Sequence, residues 1–169
     1  MDVIKAHVWT NCFYMIAGLL CYYMGAPVYI MYAFITLGIL SWLGHYTNDS
    51  TGWLADHYGM YIAFSAIVSF VSGNPLIGIF ALFATFLINF TFNMYIAIGT
   101  LYTVCFAFFS LNHTILETAS VGALFLIGFI LQRLGQHAKG HIETKHENEI
   151  YHSLWHLFTS VGMPLIILL

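Results

Sequence analysis

Long apolar stretches, each closed by a short polar or glycine–proline break, run through this chain from end to end. A helix needs about 20 mostly apolar residues to cross the hydrocarbon of a bilayer, within a range of roughly 17–25. The first stretch covers about 8–24 and stops at Gly25-Ala26-Pro27. The second covers about 27–45, with Pro27 in a favourable first-turn position. Polar residues 46–52 follow, then a third stretch at about 54–71 that ends in the turn signal Ser72-Gly73-Asn74-Pro75. Residues 75–111 are too many for one crossing and suit two short ones. Asn89, Thr91 and Asn93 form their polar cluster, which predicts helices at about 75–91 and 93–111. Asn112-His113-Thr114 precedes a sixth stretch at about 115–134, and a charged loop with Lys139, Glu143, Lys145, Glu147 and Glu149 precedes the last, at about 150–169. The pattern predicts an all-α membrane protein, a seven-transmembrane helix bundle forming one domain over 1–169. Linkers this short make neighbouring helices antiparallel.

Seven crossings put the N-terminus on the same membrane face as the loops after the second, fourth and sixth helices. The four basic residues, Lys5, Arg133, Lys139 and Lys145, all fall on that face. The positive-inside rule therefore makes it cytoplasmic and leaves the C-terminus outside. The same parity gathers the rare polar residues. His45 closes the second helix, Asp56 opens the third, and His152 and His156 open the seventh, all near the cytoplasmic end. Ser41 lies one turn deeper than His45 on the same face, since residues i and i+4 are about 6 Å apart along the axis. One crossing fewer would carry the last two histidines to the opposite face.

Composition strengthens the membrane reading. The chain is 60% hydrophobic and only 7% charged, with mean hydropathy +0.84, whereas soluble domains carry about 25% charged residues. No basic cluster supports binding to nucleic acid, and a net charge of −3 defines no partner. Cys12, Cys21 and Cys105 are widely spaced in apolar stretches without a CxxC pair. They read as small buried residues rather than thiolate ligands or a redox couple. Residues 1–7 lead into the first apolar stretch without a small-residue cleavage pattern, so that crossing is expected to stay in place.

Ionisable residues inside membrane helices are costly and default to a functional hypothesis. His152 and His156 are four residues apart, which stacks both rings on one helix face. With His45 they offer three neutral imidazoles, the donor set of a catalytic Zn2+ site that keeps a fourth position open. Zinc lowers the pKa of its water to about 7, making hydroxide accessible at neutral pH. Asp56 is placed to take that water's proton as general base, and Ser41 to donate to a developing oxyanion or to orient the water. Each motif alone has an ordinary reading. HxxxH also serves as an interhelical hydrogen-bonding pair or a haem pair, serine packs at helix interfaces, and Asp56 suits a first turn through the helix dipole. Together, at one depth, they point to a metal.

Other polar residues read more simply. His57 is a rival ligand, but it is rotated about 100° from Asp56 and so expected against a neighbouring helix or the headgroups. His137, His141 and His146 belong to the charged last loop, and His7 and His113 to helix ends at the interface. Glu117 reads as a first-turn helix charge, with a second ion site as the lesser alternative. Trp42 and Trp155 adjoin the ligands and are candidates for pocket walls, while Trp9 and Trp53 suit the membrane edges.

Three motifs carry a family resemblance: Ser41-Trp42-Leu43-Gly44-His45, then Ala55-Asp56-His57, then His152-Ser153-Leu154-Trp155-His156-Leu157-Phe158. Their order resembles the alkaline ceramidase branch of the CREST superfamily of seven-transmembrane metal-dependent hydrolases. That superfamily also holds the progestin and adipoQ receptors and the haemolysin III proteins. The tryptophan before the last histidine and the spacing from His45 to Asp56 are more similar to ceramidases than to receptors. The resemblance implies zinc held by His45, His152 and His156, with Ser41 and Asp56 beside its water. It also implies hydrolysis of the N-acyl bond of a ceramide-like membrane lipid, releasing a fatty acid and a sphingoid base. The chain, at 169 residues, is short for the family, and two further features depart from its pattern. Ceramidases of this type carry an acidic N-terminal segment with tryptophan and asparagine that is associated with calcium, where this chain has only Asp2, Trp9 and Asn11. The cytoplasmic N-terminus inferred above also reverses the ceramidase orientation. The competing classes are a receptor or haemolysin III-like relative with zinc in a receptor or structural role, and a haem cytochrome with paired histidine ligands.

Overall fold

The computed structural model describes residues 6–47, 50–138 and 145–169. The chain forms α1 (Ala6–Thr10), α2 (Cys12–Tyr23), α3 (Val28–Thr47), α4 (Ser50–Val71), α5 (Pro75–Thr91), α6 (Met94–Asn112), α7 (Ile115–Ala138) and α8 (Lys145–Leu168). No strand occurs among the described residues, as the all-α pattern requires.

The breaks between helices have local chemical causes. After α2, Gly25 adopts φ +98°, its N–H reaches Tyr22 O at 3.0 Å and the Ala26 N–H reaches Cys21 O at 2.9 Å. That pair of bonds is a Schellman stop, and the left-handed position favours glycine. Asn74 and Asn93 cap α5 and α6: their Oδ1 atoms accept from the Leu76 and Ile96 N–H groups, each at 3.0 Å. The polar cluster at 89–93 thus does end one helix and start another. At α7 the Thr114 N–H donates to Glu117 Oε2 at 2.8 Å, and the Glu117 N–H donates back to Thr114 Oγ1 at 3.3 Å. This reciprocal capping box accounts for the single acidic residue in that turn.

Three boundaries differ from the apolar pattern. The first helical segment is broken at Asn11, which is fully buried and whose Nδ2 donates to Val8 O at 3.2 Å. A side chain that bonds nearby backbone competes with helix continuation. Next, α3 continues to Thr47 and α4 starts at Ser50, so most of the polar stretch 46–52 is helical. Likewise α8 begins at Lys145, five residues before the last apolar run. Polarity marks where a helix leaves an apolar environment, not where its backbone hydrogen bonding ends.

The helices pack around α4, which contacts α3, α5, α6 and α8. On one side α3 bridges α4 and α2; on the other α8 touches α7, α2, α1 and α4. Contact between α6 and α7 is sparse although they are consecutive. Phe34, Leu37, Tyr61, Phe64, Ile67, Phe109 and Met163 fill the interior. The outside is apolar too: Phe80, Phe83, Phe90 and Leu116 are all at least 71% exposed. Apolar surface on that scale fits a lipid solvent rather than water. Val28–Thr47, Leu54–Val71 and Ile115–Leu134 are each long and apolar enough to cross a membrane, and Pro75–Thr91 and Ile96–Asn112 are shorter apolar helices. Burial separates their roles, since 56% of the α4 stretch lies inside the protein and only 11% of the α7 stretch does.

Candidate metal centre

The site forms where the end of α3 crosses the start of α4, closed by the first half of α8. Helical periodicity sorts the end of α3 cleanly: Ser41, Gly44 and His45 are buried, while Trp42, Leu43 and Tyr46 face outward. The crossing is close because glycine meets glycine. A Cβ on Gly44 would collide with the Gly52 carbonyl and come within 3.1 Å of the Asp56 Cβ. Small residues at membrane-helix crossings bring backbones together in this way. Here they bring His45 on α3 and Asp56 on α4 to one level.

Three imidazoles converge at that level. One ligand atom from each of His45, His152 and His156 lies within 4.8 Å of the other two. The Nε2 atoms of His45 and His152 are 3.1 Å apart, and the three ring centroids are separated by 4.5–5.1 Å. Nitrogens at roughly 2.0–2.1 Å from a tetrahedral zinc lie about 3.3 Å from one another, so the His45–His152 edge already has the spacing of a ligand pair. Asp56 Oδ2 is 3.9 Å from His45 Nε2, with both side chains almost fully buried. Ser41 is 1% exposed, and its Oγ makes no hydrogen bond among the described residues. A buried hydroxyl left that way costs about 1–3 kcal/mol, and it sits one turn from His45 on the same helix face. Three nitrogen donors, a buried carboxylate and an orphaned hydroxyl form a set that can hold a metal ion with polar groups beside it.

The walls include residues that sequence reasoning did not single out. Thr10 Oγ1 lies 3.1 Å from His156 Nδ1. The Tyr14 ring tilts against His156 at 5.7 Å, and its hydroxyl is 2.6 Å from Thr159 Oγ1. The adjacent polar pair Thr10-Asn11 inside an apolar stretch was the available signal. Trp155 walls the site, 5% exposed and 5.3 Å from the His152 ring. Trp42 does not: it is 38% exposed and stacks on Tyr46 at 5.2 Å on the outer surface.

The remaining histidines lie elsewhere. His57 is buried rather than directed to the headgroups, and it is not one of the three converging imidazoles. His113 is half-buried, stacked on Phe109 at 3.9 Å with Nδ1 2.8 Å from the Phe109 carbonyl. The side chains of His7, His137 and His146, and all of His141, lie outside the described residues.

Fold and site together define a helical protein with a strongly apolar outer surface and helices apolar enough to cross a membrane, carrying a largely buried three-histidine cluster that could hold a metal ion. Compared with known proteins, the chain matches no protein family, no curated protein and no solved structure.

Proposed function

We propose that this protein is a zinc-dependent, membrane-embedded amide hydrolase acting on ceramide-like lipids and releasing a fatty acid and a sphingoid base. The carrying observation is the convergence of His45, His152 and His156 beside the buried Asp56, in the motif order that resembles the alkaline ceramidases. In this reading α1 and α2 make one crossing and α3 to α8 the other six. The basic residues then place the N-terminus in the cytoplasm and the C-terminus outside.

His45, His152 and His156 would hold the zinc, which would supply Lewis acidity toward a carbonyl oxygen and a more acidic water. The chain's own residues do the rest. Asp56 takes the proton from the attacking water and returns it to the departing nitrogen. The water's oxygen ends on the acyl carbon as the C–N bond breaks. Ser41 donates its hydroxyl hydrogen to the amide oxygen as charge develops there. Apolar space for an acyl chain lies next door. A cavity of about 310 Å³ runs from Met60, Trp155 and Thr159 to Tyr102 and Phe125. A second, of about 400 Å³, shares Tyr102 and Phe125 and continues along the sparse contact between α6 and α7. Access from the side of the bilayer fits that arrangement. Three imidazoles in mutual contact suit a compact ion rather than a planar macrocycle held between two rings.

One distance favours a second reading. Asp56 Oδ2, 3.9 Å from His45 Nε2, is near enough to become a fourth ligand, which would close the site in the manner of structural zinc. That is the receptor or haemolysin III-like alternative. Replacing the carboxylate separates the two. Under the hydrolase reading, Asp56→Ala keeps its metal and loses fatty-acid release from a ceramide panel by about 10²-fold or more. Loss of the metal together with the carboxylate would favour the closed structural site.

A further inference from the structure

The mechanism above makes no use of the hydroxyl groups that the first helical segment directs at α8. His45 and His152 face each other through Nε2, so with a metal ion between them both would present Nε2 lone pairs to it. For His156 to do the same, its proton must sit on Nδ1. The atom found at Nδ1 is Thr10 Oγ1, at 3.1 Å. A hydroxyl can accept that proton, and a metal-bound imidazole almost always donates its second N–H to such a partner, which fixes both tautomer and ring orientation.

We propose that Thr10 is a positioning residue for the metal centre: it accepts from His156 Nδ1–H and holds His156 in the tautomer that coordinates through Nε2. This rests on reading the three histidines as a metal site. The surrounding geometry supports it. Thr10 ends α1, and the buried Asn11 breaks the helix directly after it. Thr10 therefore reaches the ring from a turn, not from a continuous helix wall. One turn further on, Tyr14 is fastened to the same helix. Thr159 Oγ1 donates to Trp155 O at 2.8 Å, which leaves Tyr14 O–H to donate to Thr159 across 2.6 Å. Tyr14 thus ties the segment to α8 without bonding a ligand ring, and Thr10 bonds the ring itself.

The two contacts supply their own control. In the full-length detergent-solubilised protein, zinc affinity is measured by competition with a chelator, and ligand geometry by the visible spectrum after Co2+ loading. Thr10→Val keeps the side-chain shape but removes the acceptor, and should weaken zinc binding about 10–100-fold and alter the Co2+ bands. Thr10→Ser should restore both. Tyr14→Phe keeps the ring that lies against His156 and removes only the hydroxyl's bond to Thr159, between the same helical segment and α8, and should leave affinity close to wild type. Thr10→Ala provides the same comparison if the branched valine disturbs α1. Wild-type affinity in the acceptorless variants would overturn the inference, as would an equal loss in Tyr14→Phe, which would make segment docking the cause. A wild type that binds neither ion overturns the metal-centre reading itself, and is told apart from those outcomes by that result alone.

Discussion

Ser41 separates chemistry from packing better than any other residue here. Its hydroxyl is buried without a hydrogen-bond partner among the described residues, so replacing it with alanine removes a desolvation cost of about 1–3 kcal/mol. If the hydroxyl serves the developing oxyanion, Ser41→Ala should melt no lower than wild type while its kcat on ceramide falls about 10²-fold. A lower melting temperature with unchanged kcat would make Ser41 a packing residue. The same contrast explains which residues could be read in advance. His45, Asp56, His152 and His156 stand out because imidazoles and carboxylates are rare in apolar helices. Thr10, Tyr14 and Thr159 do not stand out, because hydroxyls in such helices usually bond their own backbone. Thr85, Thr100, Thr103 and Ser120 all do so, each to the carbonyl four residues earlier. Beyond its place beside Asn11, only a three-dimensional neighbour distinguishes Thr10 from these.

Between elements, the α3–α4 crossing controls the site because no side chain can stand between Gly44 and Gly52. Gly44→Ala should cost about 1–3 kcal/mol through overpacking and weaken metal binding, because it pushes the His45 helix away from the other ligands. Gly99 on α6 faces open space, with nothing within 4 Å of an added Cβ. Gly99→Ala should therefore be neutral or gain about 0.5–1 kcal/mol from helix propensity. Thermal melts of the two variants in one detergent check the contrast; equal destabilisation would show that the crossing is not special. Helix positions were legible because glycine, proline and asparagine punctuate the apolar runs, as at Gly25-Ala26-Pro27 and Asn93. The break at Asn11 was hidden, since a single polar residue in an apolar run carries no sign of whether it bends the helix. The helical starts at Ser50 and Lys145 were hidden because apolar pattern reports burial in lipid rather than hydrogen bonding.

Across the whole molecule, the chemistry and the membrane signal compete for the same residues. The helix α8 brings two imidazoles to the cluster and is not among the three helices whose hydropathy alone suits a crossing. Polar groups that build a site inside lipid lower the apparent hydropathy of the helix that carries them. Chain order was what made the cluster visible. Placing the ends of α3 and the starts of α4 and α8 at one level required the break between α5 and α6, and that break is capped by Asn93. The central claim is that these three elements build one metal centre, and metal stoichiometry of the purified chain tests it most directly. The account predicts one zinc per chain in the wild type, with zinc lost from His156→Ala while its helical content is retained. A folded wild type that takes up no zinc, or a His156→Ala variant at full occupancy, would contradict it.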